Sequence, residues 1–589
     1  MRNCACAAVL FVLSAMSGMT TNAQAAPDPA AKNEVDLTWA VKIPLRDGVR
    51  LNATLYRPHN SGPQPAIFTL TPYIGDTYHP RAMYFAQHGY VYLLVDVRGR
   101  GNSGGAFEPF ANEGRDGYDI VEWIAKQPWC NGKVTMWGGS YAGFDQWSTL
   151  KEFPPHLATI VPAAAAHPGV DFPFFRGIFG LYDMQWITYT SGVTGNDHLF
   201  GEGNYWRSKN LDVYREHRAY IELDTVVGNP SPIFHKWIAH PAADPYWDAM
   251  VPTEADYKKI GVPILTITGD YDGDQAGAFT YYKRHMQYGT KEATAQHYLI
   301  IGPWDHAGTR TPNQDVGGLH FGAASMLDLN KLHREWYDWT MKGGARPEFL
   351  KKRVAYYVTG SDEWKYADGL EELSNQKRTL YLGSNGSANE AFHSGTLADN
   401  AGGSSAQDHF VYDPMDVRPG DVQQTAPGLV SEADALNLFG AGLVYHSEPF
   451  AEATEISGFA KLTVWLSMDV PDTDLSAGLY EILPDGRSVA LTGDSLRARY
   501  RKSLREEMLV KPGEIEKFEF TGFTFFSHKI AKGSRLRLVF EAINSPDTEK
   551  NYNSGGIVAN ETAKDARTAH ITMYHDAAHP SAIELPIVK

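Results

Sequence analysis

Between residues 64 and 303, short apolar runs alternate with helical patterns, which is typical of parallel strands joined by crossover helices. The runs are almost continuously apolar, which indicates a sheet that is covered on both faces. The predicted strands are 65–73, 90–97, 134–137, 158–161, 262–268 and 298–301. Residues 114–127 place their apolar side chains on one broad face, which predicts a helix before the third of these strands. The pattern predicts an α/β core.

An aromatic-rich stretch at residues 167–255 interrupts this rhythm. An insertion between two sheet strands commonly lies over their carboxyl ends, where ligands bind in open α/β sheets. We interpret the stretch as a helical cap, and its aromatic side chains Phe174 and Trp186 are candidate substrate contacts. The alternative is that these rings only pack the cap onto the core.

The character of the chain changes after a helical pattern at residues 327–341 that ends at Gly343 and Gly344. From there, short segments alternate apolar and polar residues with a period of two, as in 461–467 and 535–540. This period over the remaining residues predicts a β-sandwich. The predicted division is a core of 26–166 and 256–348, a cap of 167–255 and a β domain of 349–589.

The first 25 residues have the order of a secretory signal: Arg2, an apolar run, and small residues up to Ala25. We expect cleavage after Ala25 and a periplasmic or secreted mature protein. Without Arg2, 52 basic residues face 69 acidic ones, a formal charge of −17. Such a surface disfavours nucleic acid and anionic membranes as partners. Cys130 is then the one remaining cysteine, so no intrachain disulfide is expected.

Residues 134–143 read VTMWGGSYAG, an apolar strand that runs into small residues and Ser140 before a helical pattern. This order is typical of a nucleophile elbow, where small neighbours let the backbone turn sharply and expose the serine hydroxyl. The usual pattern is G-x-S-x-G. Here Ala142 occupies the place of the second glycine, and Gly143 follows it, so the requirement for small residues is still met.

An acid and a histidine follow in the chain order that such hydrolytic sites use, each after a predicted strand. Residues 269–274 read GDYDGD, and residues 302–306 read GPWDH. A serine hydroxyl needs a base, and a carboxylate must orient the imidazole and stabilise its charge. We therefore predict a triad of Ser140, Asp272 and His306.

Other residues compete for these roles. Asp270 is the second choice for the acid, because aspartates in this segment can equally be turn residues. Four further histidines are interpreted as ordinary core or surface residues: His167, His240, His297 and His320.

The motifs GGSYAG at 138–143, GDYD at 269–272 and GPWDH at 302–306 resemble those of the X-Pro dipeptidyl-peptidase and cocaine-esterase family. This family includes α-amino-acid ester hydrolases and glutaryl-cephalosporin acylases, and the resemblance covers nearly the whole mature chain. It implies an α/β-hydrolase core with a helical cap insertion and a C-terminal jelly-roll-like β-sandwich. It also implies an oxyanion hole formed by the Tyr73 hydroxyl and the backbone N–H of Tyr141.

The α-amino-acid ester hydrolases in that family hold the substrate ammonium with a cluster of carboxylates. At the corresponding place the sequence has Asp274 followed by Gln275, so one carboxylate is kept and one is replaced by an amide. Asp171, at the entrance to the cap, could supply another. Attraction for a cation scales with the charges placed near it. A partial cluster therefore weakens the hypothesis that the site binds an α-ammonium group. Asp171 and Asp274 could equally be solvated surface residues.

Three functional hypotheses follow. The first is an esterase or acylase for small-molecule substrates, with modest activity on substrates that carry an α-amino group. The second is an X-Pro dipeptidyl-peptidase, and the third is a carbohydrate-binding protein with an inactive hydrolase core. No H-E-x-x-H pattern or cysteine–histidine cluster indicates a metal, and no cofactor is expected. Assembly into a homo-oligomer stays open.

Overall fold

The computed structural model describes residues 33–389, 391–401, 406–419, 428–430, 435–437 and 440–589. The predicted signal peptide, residues 1–25, lies outside this range. Among the described helices, none combines the length and the apolar character that a membrane span requires.

One half of the central sheet has the strand order β1-β2-β4-β3-β5-β7. Its members are β1 (Val35–Pro44), β2 (Arg50–Pro58), β3 (Gln64–Thr71), β4 (Val91–Asp96), β5 (Cys130–Met136) and β7 (Leu157–Thr159). The first two strands pair antiparallel, and β3 pairs in parallel with both β4 and β5. The sequence pattern missed β1 and β2, because the first strand it predicts is 65–73.

The other half has the order β16-β15-β12-β11-β8-β6. Its members are β6 (Gly138–Ser140), β8 (Pro162–Ala165), β11 (Ile264–Tyr271), β12 (His297–Asp305), β15 (Val354–Val358) and β16 (Glu363–Ala367). Strands β6 and β8 continue β5 and β7 after short breaks, and a bridge between Ile160 and Ile264 joins the halves. The two halves therefore form one α/β sheet.

Helices cover both faces of this sheet. They are α1 (His79–Gln87), α2 (Glu113–Ala125), α3 (Tyr141–Leu150), α11 (Gln275–Tyr288), α12 (Lys291–Thr294) and α13 (Leu329–Lys342). On β3, Ile67 packs in the cluster that contains α1 and α13, while its neighbour Phe68 packs in the cluster that contains α2 and α3. Successive strand residues point to opposite faces, so both faces are buried, as the apolar runs predict.

The insertion after β8 is helical. It contains the short hairpin β9 (Phe174–Phe175) and β10 (Ile178–Phe179), and then α4 (Tyr182–Tyr189), α5 (Asp197–Phe200), α6 (Gly203–Arg215), α7 (Leu223–Val227), α8 (Pro232–Ile238), α9 (Pro245–Asp248) and α10 (Glu254–Tyr257). Several of these helices begin at a polar N-cap; Ser231, for example, accepts a hydrogen bond from the backbone N–H of Phe234 at the start of α8.

The core sheet continues past residue 348, where the sequence analysis ends it. Strand β15 pairs in parallel with β12, and β16 pairs antiparallel with β15. A short apolar strand fits a core sheet or a separate β domain equally well, so the pattern alone does not assign it. A small hairpin of β13 (Asp315–Val316) and β14 (Leu319–His320) precedes α13.

The remaining chain is rich in β-structure and has its own apolar core. Its strands are β17 (Gln376–Gly383), β18 (Gly395–Ala398), β19 (Asp408–Tyr412), β20 (Gly442–Ser447), β21 (Thr454–Gly458), β22 (Lys461–Met468), β23 (Asp474–Ile482), β24 (Ser488–Arg497), β25 (Glu516–Phe520), β26 (Phe526–Ile530), β27 (Arg535–Ala542), β28 (Ala569–Tyr574) and β29 (Ala582–Val588). Strand β27 shows the predicted alternation, since Leu536, Leu538 and Phe540 are buried.

Candidate active site

The predicted triad residues follow strands that end at one edge of the sheet. Ser140 ends β6, Asp272 follows β11 and His306 follows β12. These strands and β8 between them run parallel in the order β12-β11-β8-β6, so their carboxyl ends share one edge. Ligands bind at this edge in open α/β sheets.

Ser140 lies in a strained turn between β6 and α3. Its φ of 62° and ψ of −127° lie in a region that side-chain-bearing residues rarely adopt. A Cβ atom at Gly138 would lie 2.5 Å from the Ala142 Cβ, and one at Gly143 would lie 2.7 Å from the Ala163 carbonyl oxygen. The glycine three residues after the serine is thus needed for helix α3 to approach β8.

Asp272 and His306 form a fixed pair. The Nδ1 atom of His306 lies 2.8 Å from Oδ1 of Asp272, whose side chain is buried. The Asp272 carboxylate also accepts hydrogen bonds from the Thr268 hydroxyl at 3.0 Å and the Asp274 backbone N–H at 3.0 Å. A carboxylate at Nδ1 favours the tautomer that leaves Nε2 free to accept a proton.

Asp270, the second choice for the acid, is oriented differently. Its buried carboxyl accepts a hydrogen bond from the backbone of Ser527 in the C-terminal β-rich region, and burial raises its pKa well above the usual range. Its Oδ1 atom has no hydrogen-bond partner among the described residues. The geometry therefore favours Asp272 as the partner of His306.

Tyr73 lies two residues after the end of β3 and interacts with Ser140. Its hydroxyl accepts a hydrogen bond of 3.0 Å from the indole N–H of Trp186, and its ring stacks on Tyr189 at 5.4 Å. Burial raises the pKa of the phenol above its usual range, and hydrogen bonding with Trp186 and Ser140 lowers it in part. The next residue, Ile74, has a φ of 65°, which is rare for a β-branched side chain. A neutral phenol in this position can donate a hydrogen bond.

Tyr141 is the first residue of α3, so its backbone N–H is not used within the helix. Its hydroxyl donates to Glu113 at 2.5 Å and accepts from the Phe110 N–H at 2.7 Å. Burial raises the pKa of Glu113 to about 7. The sequence analysis missed this buried acid, because an acidic residue in the first turn of a helix is ordinarily a surface feature that complements the helix dipole.

The two cap aromatics differ in their surroundings. The Trp186 ring stacks on Tyr141 with a centroid distance of 5.6 Å, and its indole N–H contacts Tyr73. Phe174 packs edge-on against Phe179 at 5.2 Å and Trp247 at 5.7 Å. The contacts of Trp186 reach both predicted oxyanion residues, whereas those of Phe174 lie within the cap. The substrate role of each stays a prediction.

Asp171 and Asp274 interact electrostatically beside the predicted triad. Oδ2 of Asp274 lies 3.8 Å from Nδ1 of His306. Burial and the negative charge of Asp171 together raise the pKa of Asp274 to about 8, against the opposing effect of His306. Burial also raises the pKa of Asp171 to about 7, although backbone N–H groups of His167 and Gly277 stabilise its charged form.

Gln275, the amide that follows Asp274, faces the C-terminal region. Its amide donates to the carbonyls of Gly269 and Phe525, and its oxygen accepts from the Phe525 N–H at 2.7 Å. This amide joins the sheet edge that carries the predicted triad to the β-rich region.

The other histidines have partners elsewhere. Hydrogen bonds join His167 to the Pro168 carbonyl, His240 to Asp244, His297 to Thr266 and His285, and His320 to Asp315. Within the described parts of the chain, no cluster of three or more His, Cys, Asp or Glu side chains could hold a metal ion.

Two family models match the chain. One, described as X-Pro dipeptidyl-peptidase (S15 family), matches residues 47–308. The other, described as X-Pro dipeptidyl-peptidase C-terminal non-catalytic domain, matches residues 347–584. Among characterised proteins, the chain is similar to cocaine esterase of Rhodococcus sp., with 27% identity over 581 residues that cover 93% of this chain and 98% of the esterase.

Solved structures share the fold. An aminopeptidase from a marine sediment Thaumarchaeota archaeon superimposes with a TM-score of 0.82 at 22% identity, covering 96% of this chain and 98% of that one. An α-amino acid ester hydrolase superimposes with a TM-score of 0.81 at 22% identity, covering 97% and 100%. A CocE/NonD family hydrolase from Staphylococcus aureus gives 0.66 at 18% identity, covering 94% of each chain.

Proposed function

The chain belongs to the X-Pro dipeptidyl-peptidase (S15) family of hydrolases, and we propose that it cleaves ester or amide acyl bonds of small molecules with Ser140, His306 and Asp272. The observation that carries this proposal is the hydrogen bond between His306 and the buried Asp272 at the sheet edge where Ser140 occupies its strained turn. Such strain is stored where a nucleophile must be exposed and held in one orientation.

The reaction proceeds in two acyl-transfer steps. His306 takes the hydroxyl proton through Nε2 as the Ser140 Oγ atom forms a bond to the substrate carbonyl carbon. Asp272 stabilises the imidazolium that results. His306 then gives the proton to the leaving alkoxide or amine as the bond from the acyl carbon breaks. Water repeats the sequence on the acyl-enzyme, which releases the acid and restores Ser140.

The oxyanion of each tetrahedral intermediate accepts hydrogen bonds from the Tyr73 hydroxyl and the Tyr141 backbone N–H in this proposal. The Trp186 indole donates to the Tyr73 oxygen, so the phenol can direct its own proton elsewhere. Donors aimed at a developing charge in a dry site are each worth about 3 kcal/mol of barrier.

An acyl group that carries an amine is favoured by the acidic pair beside the triad. An ammonium placed between Asp171 and Asp274 would favour the ionised form of both carboxyls, whose pKa values are raised without it. Esters or amides of α-amino acids are therefore the substrates we propose first. An X-Pro dipeptidyl-peptidase is the second candidate, favoured by the family match and the same acidic pair.

The pattern of residues 1–25 supports the further proposal that the protein is exported and cut after Ala25. Sequencing the N-terminus of protein recovered from the periplasm or medium tests this, and we expect it to begin at Ala26. A mature protein that still carries Arg2 would contradict the proposal.

Kinetics with p-nitrophenyl esters test the function itself. Ser140→Ala and His306→Gln should each lower kcat by at least about 10⁴-fold, because each removes a member of a unit that acts together. The matched controls are Ser208→Ala and His320→Gln, which change exposed residues outside the site. Turnover that survives in Ser140→Ala would exclude this serine as the nucleophile. Retained ester binding with no turnover by the wild-type protein would support an inactive core that serves as a binding module.

Substrate choice is tested on the wild-type enzyme with three substrates. Phenylglycine methyl ester and methyl phenylacetate differ in the α-amine, and Ala-Pro-p-nitroanilide reports dipeptidyl-peptidase activity. We expect the highest kcat/KM for the amino ester. Faster cleavage of the anilide than of both esters would instead support the peptidase.

A further inference from the structure

The guanidinium of Arg310 lies against the backbone that leads into Ser140. A Cβ atom at Gly139 would lie 2.5 Å from one terminal nitrogen of Arg310 and 2.6 Å from its Cδ atom. Arg310 follows His306 by four residues, and the hydroxyl between them, that of Thr309, donates to the His306 carbonyl at 2.8 Å. The glycine before the nucleophile thus makes room for a cation beside the triad.

A second guanidinium supports the first. Arg81, on α1, donates a hydrogen bond of 3.1 Å to the backbone carbonyl of Arg310, and its guanidinium lies 4.5 Å from the centroid of the Trp137 ring. Burial lowers the pKa of Arg81 to about 10, and the charge of Arg310 lowers it too. Two like charges therefore share a partly buried space at the active-site edge of the sheet.

Neither arginine has a carboxylate partner within the described residues. The Arg310 guanidinium donates a long side-chain hydrogen bond of 3.4 Å to the Thr309 hydroxyl. The charge of Asp328 raises the pKa of Arg81, and the charge of Arg310 lowers the pKa of Asp274. Neither carboxylate forms an ion pair with these arginines. Burying a cation that has no anionic partner costs free energy. The planar guanidinium is also the side chain best suited to bind a carboxylate through two hydrogen bonds.

We propose that Arg310, supported by Arg81, binds a carboxylate on the leaving group of the substrate, so that the preferred substrates are esters or amides of hydroxy or amino acids. The leaving side is favoured because Arg310 belongs to the loop that carries His306, which protonates the leaving atom. The carboxylate itself takes no part in the acyl transfer and keeps its charge throughout. This inference rests on the proposed function.

Two substrate pairs test the proposal. 4-Acetoxybenzoate and 4-acetoxybenzamide differ by a charge on the leaving group, and monophenyl succinate and phenyl butyrate differ by a charge on the acyl group. The readout is the ratio of kcat/KM for the charged and the neutral member of each pair. Arg310→Gln should lower the ratio for the acetoxy pair by about 10- to 100-fold, the range expected for a lost hydrogen bond to a charged group.

Controls separate charge from shape and from folding. Arg310→Lys should lower the acetoxy ratio less than Arg310→Gln does, because lysine retains the positive charge although it loses the bidentate geometry. Arg378→Gln, which changes a half-buried arginine paired with Asp399 in the C-terminal region, should leave the ratio as it is. The wild-type enzyme provides a test that needs no variant: 4-hydroxybenzoate should inhibit it more strongly than 4-hydroxybenzamide.

Several outcomes would overturn the inference. An acetoxy ratio that Arg310→Gln does not change, or equal inhibition by the two products, would show that no carboxylate binds there. If Arg310→Gln lowered the kcat/KM ratio only for the succinate pair, the bound carboxylate would belong to the acyl group, and the leaving-group assignment would be refuted. The proposed function fails by a different observation, namely hydrolysis of the neutral esters that persists in Ser140→Ala.

Discussion

Replacing Tyr73 with phenylalanine removes one hydroxyl from the site and leaves the ring in place. That hydroxyl accepts the indole N–H of Trp186 at 3.0 Å and interacts with Ser140. Ring packing against Tyr189 is preserved, because the stacked rings contact each other through their faces. The variant therefore isolates the hydrogen-bonding role of the phenol from its contribution to packing.

The expected magnitude follows from the two bonds that are lost. A missing oxyanion donor raises the barrier by about 3 kcal/mol, which corresponds to a fall of about 100-fold or more in kcat. KM should change little, since the negative charge develops only in the transition state. The Trp186 N–H also loses its acceptor, so the free energy of unfolding should fall by about 1–3 kcal/mol.

The assay is steady-state hydrolysis of a p-nitrophenyl ester, together with thermal unfolding of the same preparations. Tyr189→Phe is the matched control, because it removes a phenol from the stacked neighbour, whose hydroxyl bonds to Asp197 instead. A folded Tyr73→Phe enzyme whose kcat lies within threefold of wild type would refute the assignment of this hydroxyl to the oxyanion hole.

Three further predictions follow from the surroundings of the triad. Glu113→Gln replaces the buried carboxyl that accepts a hydrogen bond from the Tyr141 hydroxyl, so we expect a loss of about 1–3 kcal/mol in unfolding free energy and a lower kcat; an unchanged melting temperature would contradict this. The pKa of Asp274, raised to about 8, means that the native state holds a proton that the unfolded state has released, so wild-type stability should fall as pH rises from about 4 towards 8. Asp274→Asn should flatten that fall in melting temperature, and parallel curves for both proteins would show that this carboxyl does not cause it. Gly139→Ala should lower both activity and stability, the latter by about 1–3 kcal/mol, because the new methyl group overlaps Arg310; a variant with wild-type kcat/KM would contradict the close approach seen here.

The sheet was predictable from the sequence because its strands are buried on both faces. Strands β4, β11 and β12 read as apolar runs bounded by turns, and the structure confirms them within a few residues. Strand β1 lacks this signal because it is an edge strand with many half-buried and exposed residues. Strand β2 lacks it because polar residues interrupt its apolar run, which reads RLNATLYRP. The pattern could not assign β15 to the core, because pairing with a distant strand leaves no local trace.

The meeting of Ser140, Asp272 and His306 at one sheet edge could be predicted because three local motifs each follow a strand, and parallel strands bring their ends together. The supporting residues carry no such signal. Glu113 looks like a helix-start acid, yet it lies buried beneath Tyr141. Arg81 and Arg310 are far apart in the chain and meet only because α1 packs beside the loop after β12. Contacts of this kind depend on tertiary packing, which periodicity and spacing do not encode.

The central claim is that Ser140 is the nucleophile that His306 activates. Reaction with a fluorophosphonate followed by peptide mass spectrometry tests it most directly, because this reagent traps an activated serine covalently. We predict a single adduct on the peptide that contains Ser140, no adduct in Ser140→Ala, and much slower labelling in His306→Gln. An adduct on a different serine, or labelling that persists in Ser140→Ala, would contradict the account.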